Sequence, residues 1–440
     1  MTEATQEKTG LGNYFVANYP PFSFWKPEHV AAALRACNTP PAVGTPLGLY
    51  LHIPFCRKRC KFCYFRVYTD KNARDIETYL DAILKEVELY SRMPIMGGRP
   101  LHFVYFGGGT PSYLSAAQLR GLITRLKEMM SWSAAQEVTF ECEPGTLQQP
   151  KLETLKELGI TRLSLGIENF DDAILEANGR AHHSQEIFRA YRWARDLQFD
   201  QINIDLIAGM VGETWDNWRE CVRKTIDLDA DSVTIYQMEL PYNTTYSKEL
   251  RVLGQDAPVA HEIADWPTKR AWVDYAFNEL SSAGYAVSSA YTMVKDRDRC
   301  RFVYRDSLWH GADMFGTGVA SFGHLGGVHV QNEDTWEQYI VKLERGELPL
   351  HRALPVSKND LLTRELILQL KTGHVAPAYF RDKFAADILH DYAPGFEHLR
   401  DSGFLVRADS EIELTRSGLL QIDRLLPEFF DAKYRGTRYT

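Results

Sequence analysis

Three thiols stand close together in Tyr50-Leu-His-Ile-Pro-Phe-Cys56-Arg-Lys-Arg-Cys60-Lys-Phe-Cys63-Tyr-Phe65. A Cys-x3-Cys-x2-Cys run reads as a loop folded around something that all three sulfurs touch, and a metal cluster is the expected occupant. A structural zinc site would take a fourth Cys or His at short spacing, and none follows. A [4Fe–4S] cluster held by three thiolates instead leaves one iron open to a small chelating molecule. Incidental cysteines, or a redox pair plus one, are the plain alternatives.

Further chemistry-bearing residues recur at intervals downstream. In Phe106-Gly107-Gly108-Gly109-Thr110-Pro111-Ser112, three glycines let the backbone approach a ligand and are expected to expose successive N–H groups. In Thr139-Phe-Glu141-Cys-Glu143-Pro144-Gly145, Glu141 is placed to accept from ribose hydroxyls or an ammonium group, whereas Glu143 reads equally as solvated. Glu168 follows Leu165-Gly-Ile, and Arg180 in Asn178-Gly-Arg-Ala-His182 offers a fork suited to a carboxylate; a surface arginine is the alternative. Asp205 alternates with apolar neighbours in Ile202-Asn-Ile-Asp-Leu-Ile207. An ionised carboxylate there needs a partner, either a ligand or Arg180. His52, His310 and His324 read first as hydrogen-bonded structural residues, and no side chain is assigned as a catalytic acid or base.

The elements that must position these residues follow a repeated pattern of a short apolar run and a longer amphipathic one. Strands are expected at Leu49–Ile53, His102–Phe106, Val138–Glu141, Arg162–Gly166, Gln201–Ile207 and Ser232–Gln237. Helices are expected near Asp75–Tyr90, Ala116–Met130, Lys151–Leu158, Ser184–Leu197 and Glu213–Leu228. Such alternation means right-handed βαβ units and a parallel sheet. Six units predict a partial (β/α)6 barrel within an α/β fold, with the chemistry at the carboxyl ends of the strands.

Around this core, residues 47–245, three other units are expected. Residues 1–46 form an aromatic, Pro-rich arm, read as a structural arm or an active-site lid. Residues 246–350 extend the barrel with a helix at Thr268–Ala283, a strand at Tyr285–Ala290 and a Gly-rich run from Trp309 to Gly327. Residues 351–440 carry helices at Lys358–Leu370, Pro377–Ala386 and Phe396–Ser402, a hairpin, and a helix at Thr415–Leu426. That order resembles a winged helix, here expected to cap the substrate or make an oligomer contact.

With 440 residues, 45% hydrophobic and 25% charged, the chain has material for a large core. No apolar run is long enough to span a bilayer, and the N-terminus lacks a signal-peptide pattern. The net charge of −8 and scattered Lys and Arg argue against a nucleic-acid partner. Seven cysteines, four of them far apart, fit a reducing cytoplasm.

The cysteine run with Tyr50, His52 and Pro54, the Gly107–Pro111 turn, Glu141, Arg180 and Asn203-x-Asp205-Leu-Ile207 resemble the oxygen-independent coproporphyrinogen III oxidase-like branch of the radical S-adenosylmethionine (SAM) superfamily. That branch includes a porphyrin-pathway decarboxylase, a heme chaperone, heme-degrading enzymes, and class C methyltransferases and cyclopropanases. The resemblance implies a radical SAM barrel in which Cys56, Cys60 and Cys63 ligate a [4Fe–4S] cluster and SAM is cleaved to a 5′-deoxyadenosyl radical. It puts Tyr50, Gly108 and Glu141 around one SAM, with the glycine turn at its methionine end. Phe62, Gly109, Thr110, Glu168, Arg180 and Asp205 fall around a second SAM, and Ile207 is implied as a further cofactor-binding residue. It also implies a small-molecule substrate and a reductant such as flavodoxin or ferredoxin. Two positions depart from the pattern: Phe65 stands where the decarboxylase carries a further cysteine, and Glu168 where the family usually has Gln. The leading expectation is therefore methyl or methylene transfer from a second SAM. Porphyrin chemistry is the runner-up and heme chaperoning the third reading.

Overall fold

In the computed structural model, residues 15–436 are described. Six parallel strands follow one another in space as in sequence: β1 (Leu47–Ile53), β2 (Leu101–Gly108), β3 (Glu137–Cys142), β4 (Arg162–Glu168), β5 (Gln201–Ala208) and β6 (Ser232–Gln237). Helices Ala73–Ser91, Ala116–Met129, Gln149–Glu157, Ser184–Asp196 and Trp215–Leu228 alternate with them. Local chemistry sets where these helices start. Asn72 and Ser115 each close a capping box, and Thr214 accepts from Asn217 N, satisfying amides that have no intrahelical partner.

Period-two alternation gives the sheet two unlike faces. Leu49, Leu51, Ile53, Phe140, Leu163, Leu165, Ile202, Ile204 and Leu206 belong to the principal apolar core with residues of the surrounding helices. The intervening positions, among them Tyr50, Tyr105, Glu141, Ser164, Asn203, Asp205 and Thr234, form the other face. Tyr50 is level with Tyr105, Glu141 with Ser164, Ser164 with Asn203, and Asp205 with Thr234. Fully covered parallel sheets are ordinarily apolar on both faces; this one keeps a polar, aromatic face for its site.

The sheet extends beyond the expected six strands to twelve. At one edge lie β7 (Ala286–Val287) and β8 (Thr292–Val294), a short hairpin where one strand was expected over Tyr285–Ala290. At the other, β9 (Asp313–Thr317) adds parallel to β1, followed antiparallel by β10 (Phe322–Leu325), β11 (Val328–Asn332) and β12 (Leu350–Pro355). The Gly-rich run thus supplies two strands: a Cβ on Gly316 would lie 2.0 Å from the Phe322 carbonyl oxygen, so only glycine permits that crossing.

After β12 comes a second apolar core, with Leu366, Ile367, Leu370, Phe380, Leu399, Ile412 and Leu426. Helix Lys358–Leu370, β13 (His374–Val375), helices Pro377–Phe384 and Ala393–Asp401, then β14 (Leu405–Ala408) and β15 (Ile412–Leu414) succeed one another, with sheet order β13-β15-β14. This is the winged-helix order, with a third strand joined to the expected hairpin. The helix expected over Thr415–Leu426 is broken, because Gln421 leaves helical geometry at φ −125° between Arg416–Leu420 and Ile422–Leu425. Since β12 belongs to the large sheet, we propose that the C-terminal unit begins after Pro355 rather than at 351.

The N-terminal segment joins the two cores. Val16 and Tyr19 are buried in the C-terminal core, Lys26 pairs with Ala353 on β12, and Trp25 stacks on His329 of β11 at 5.0 Å. Of the two readings of the arm, residues 16–37 fit the structural one; residues 1–14 lie outside the described region.

Candidate functional site

The cysteine spacing would also suit one face of a helix, but the segment is a loop. The bridge between Phe55 and Tyr68 closes its base, with Cys56 N donating to Tyr68 O at 3.0 Å and Tyr68 N to Pro54 O at 2.7 Å. Lys61 N donates to Asn178 O at 3.0 Å, tying the loop to the turn that carries Arg180. His52 accepts from Tyr50 Oη at Nδ1 (3.3 Å) and donates from Nε2 to Arg66 O (3.3 Å). Burial drops its pKa to about 4, so it serves as a neutral link between strand and loop.

All three cysteines are half-buried and free. Thr110 Oγ1 donates to Cys56 Sγ at 3.3 Å, and Arg180 Nη1 to Cys60 Sγ at 3.4 Å. Burial pushes the Cys56 thiol up to about 11 and Cys63 to about 12, so metal binding must displace protons. Among the described residues no three His, Cys, Asp or Glu side chains converge to hold one ion. A cluster does not require that convergence, because its thiolates ligate separate irons.

The glycine turn behaves differently from expectation. Gly108 N donates to Glu141 Oε2 at 3.1 Å, Gly109 N to Ile53 O at 2.8 Å and Thr110 N to Phe55 O at 2.8 Å. These amides are committed to the protein rather than exposed to a ligand. Their glycines are needed because the cysteine loop passes so close: a Cβ at Gly108 would lie 2.5 Å from the His52 ring, and one at Gly109 2.8 Å from the Pro54 carbonyl carbon.

Glu141, Glu168 and Asp205 face a common space. Glu141 accepts from Tyr105 Oη at 2.7 Å as well as from Gly108 N. Asp205 accepts from Ser164 Oγ at 2.7 Å and Asn203 Nδ2 at 2.8 Å, so its nearest protein partners are these two residues rather than Arg180, one of the two partners expected. Glu168 sits at a register shift after Gly166 with φ +68°, a conformation that costs a non-glycine residue about 1 kcal/mol or more. Among the described residues its one close charged partner is Arg180, at 3.6 Å. Burial pushes Glu141 and Glu168 up to about 7, helped by repulsion from Asp205, and Asp205 is raised as well, chiefly by burial. Arg180 spends Nη2 on Gly166 O at 2.6 Å, while its buried Nε has no hydrogen-bond partner among the described residues. Three carboxyls against an incompletely bonded guanidinium suit a ligand bearing both cationic and anionic groups, as SAM does. Phe62 and Ile207 meet in a small apolar cluster with Ile174, Met210 and Met238.

Sequence reading missed the aromatic and cationic side chains of the same face. Tyr105 stacks on Tyr50 at 5.9 Å and meets Tyr304 at 4.3 Å. Arg162 lies 3.9 Å over the Phe302 ring, with its Nε unpartnered. Positions 105 and 162 share the strand phase of Glu141 and Asp205, a signal that would have found them; Tyr304, from a helix far along the chain, had none. Glu143 is neither solvated nor open to a ligand. Although burial opposes ionisation, the hydrogen bond from His182 with the Arg180 and Arg57 guanidiniums holds it at about 2. Directly after Cys63 on the cysteine loop, Tyr64 and Phe65 are 39% and 46% exposed, their rings 4.6 Å apart. His310 bonds Asp306 O, and His324 bonds His329.

Residues 50–225 match the family model of the Radical SAM superfamily. The chain is 25% identical to oxygen-independent coproporphyrinogen III oxidase of Synechocystis sp. over 96% of its own length and 92% of that protein. It is 26% identical to the heme chaperone HemW of Bacillus subtilis, over 84% and 96%. Its fold is similar to that of Escherichia coli coproporphyrinogen III oxidase, with a TM-score of 0.78 over 94% of this chain and 96% of that one at 22% identity.

Proposed function

Because the chain belongs to the oxygen-independent coproporphyrinogen III oxidase-like branch of the radical SAM superfamily, we propose that it oxidises a tetrapyrrole-type substrate without oxygen, by hydrogen-atom abstraction. A radical SAM domain takes a [4Fe–4S] cluster and SAM; when bound, they supply an electron to the sulfonium and thereby a 5′-deoxyadenosyl radical. Cys56, Cys60 and Cys63 would hold the cluster, with Thr110 and Arg180 donating to two of the sulfurs. Tyr50, Gly108 and Glu141 would surround one SAM. Phe62, Gly109, Thr110, Glu168, Arg180, Asp205 and Ile207 would surround a second. The work of the side chains is to orient ligands and exclude water, and no acid–base residue is needed.

The observation that carries this reading is the meeting of the cysteine loop, through Arg180, with three carboxyls on the polar face of the sheet, in a chain matched along nearly its whole length by an oxygen-independent coproporphyrinogen III oxidase. The paired rings of Tyr64 and Phe65 support a flat, conjugated substrate. The reported relatives are porphyrinogen oxidases and heme chaperones, so methyl or methylene transfer gives way as the leading expectation. A cytoplasmic location fits seven free thiols; no helix among the described residues is long and apolar enough to cross a membrane.

The test is anaerobic reconstitution with iron and sulfide, reduction, and mass spectrometry of products from SAM with coproporphyrinogen III or heme. Substrate-dependent 5′-deoxyadenosine with loss of the tetrapyrrole is expected. S-Adenosylhomocysteine, with deuterium from methyl-labelled SAM in the deoxyadenosine, would overturn it in favour of methyl or methylene transfer. Phe65, where the resemblance puts a cysteine in the decarboxylases, favours a second reading as a heme chaperone; heme held one to one without SAM cleavage would establish that.

A further inference from the structure

Lys and Arg are scattered along this acidic chain, except at one place. No Asp or Glu occurs between Glu28 and Asp70, and within that stretch Arg57, Lys58, Arg59, Lys61 and Arg66 are interleaved with the three cysteines. All five are exposed. Arg57 is paired with Glu143 and Arg66 with Asp334. Lys58, Arg59 and Lys61 have no carboxylate within ion-pair distance among the described residues. Arg59 donates to Cys63 O at 3.2 Å, and Lys61 Nζ lies 5.6 Å from the Tyr246 ring centroid.

The same loop borders an open groove of about 360 Å³, lined by Arg57, Lys58, Glu176, Arg180, Ala181 and His183. Glu176 is its one carboxylate. Its floor is Arg180, whose Nη1 donates to Cys60 Sγ. The groove therefore leads by one side chain from solvent to a sulfur of the cysteine loop, beside three cations of that loop that have no ion-pair partner among the described residues.

We propose that this face, Lys58, Arg59 and Lys61 with the groove beside them, is the docking surface for an acidic one-electron carrier protein. The inference rests on the radical SAM reading, which requires an electron from outside, and adds where it enters and what charge its carrier bears. With a cluster bound by the cysteine loop, the carrier would supply it one electron, with no bond made or broken. A basic patch steers an acidic partner and raises its association rate in a salt-dependent way, while contributing little to a partner of the same sign. A nucleic acid would also seek cations. The patch is short, however, and lies over the thiols rather than along a groove that tracks a phosphate backbone, so the electron carrier is favoured.

The test compares wild type with Lys58→Glu, Lys58→Glu/Lys61→Glu and Lys58→Arg, all anaerobically reconstituted and matched for iron content. SAM cleavage is driven either by photoreduced flavodoxin, an acidic flavoprotein, or by reduced methyl viologen, a small cation. With flavodoxin at low ionic strength, the double variant is expected to lose about tenfold both in kcat/KM for the carrier and in affinity for oxidised flavodoxin measured by calorimetry, with a flatter salt dependence, while Lys58→Arg stays near wild type in both. With methyl viologen all variants should match wild type or exceed it slightly. Equal loss with both donors, or no loss with flavodoxin, overturns the docking surface; so does wild type that turns over with viologen and not with flavodoxin. Displacement of flavodoxin by a short RNA with retained specificity would move the patch to a nucleic-acid partner. Wild type that cleaves SAM with neither donor, at full iron content, would instead reject the radical SAM reading itself.

Discussion

Two regions of this molecule bury carboxyls whose pKa values are raised to about 7, and they are built in opposite ways. Glu86, fully buried under β9 and β11, accepts from Gly318 N at 2.9 Å, Tyr339 Oη at 2.6 Å and Asn332 Nδ2 at 2.6 Å. Glu168, at the end of β4, has a left-handed backbone, a guanidinium at 3.6 Å and two other carboxyls as neighbours. A shifted pKa is common to both, so it does not mark function. Incomplete hydrogen bonding, backbone strain and like charges facing one space do, because each is a cost that a ligand removes.

That contrast can be broken or sharpened by experiment. Cys60→Ala should have the largest effect, reducing SAM cleavage to background and lowering iron content per chain, measured by iron analysis and deoxyadenosine release. Glu86→Ala should cost about 3 kcal/mol of stability, since an amide, a phenol and an amide side chain lose a buried partner; chemical denaturation would read this, with iron content unchanged in the folded protein. If Glu86→Ala proves neutral, the distinction between the two regions fails. Asp205→Asn and Glu168→Gln should each weaken SAM binding by about tenfold, the equivalent of one pKa unit of charge interaction, in equilibrium dialysis.

Effects of pH are smaller and carry a sign. Glu141 and Glu168 have folded pKa values near 7, above their ordinary values. Their protonated forms therefore favour folding, fully at low pH, and that contribution is lost as pH rises toward 7. Binding of a cationic ligand runs the other way and should tighten by a few-fold between pH 6 and 8, with proton release seen by calorimetry in buffers of differing ionisation enthalpy. Glu141→Gln should flatten this dependence, whereas Glu86 should contribute nothing to it. The smallest expected effect is that of Glu168→Gln on stability, within about 1 kcal/mol of wild type and in the stabilising direction, because it removes a buried charge without orphaning a donor.

The strands and helices of β1 to β6 were legible because a parallel βαβ repeat writes itself in local patterns: apolar runs, capping residues and Gly-rich connections. Local pattern did not extend to β9, which joins β1 from more than 200 residues away in a run that reads as loop. The run of three thiols was legible from spacing, as an expected cluster loop. The fate of the Gly108, Gly109 and Thr110 amides was not, because their acceptors, Glu141, Ile53 and Phe55, come from other segments.

By itself, then, the sequence determined the parallel core, the positions of the three thiols and the inward phase of Glu141 and Asp205, all consequences of short-range spacing and period. Only the tertiary structure decided which charges meet. It paired Asp205 with Ser164 and Asn203, sequestered Glu143 with Arg57 and His182, and set Glu168 between Arg180 and two like charges. The physical reason is that a buried charge is governed by the nearest partner in space, and that partner is set by how strands distant in sequence come to lie side by side.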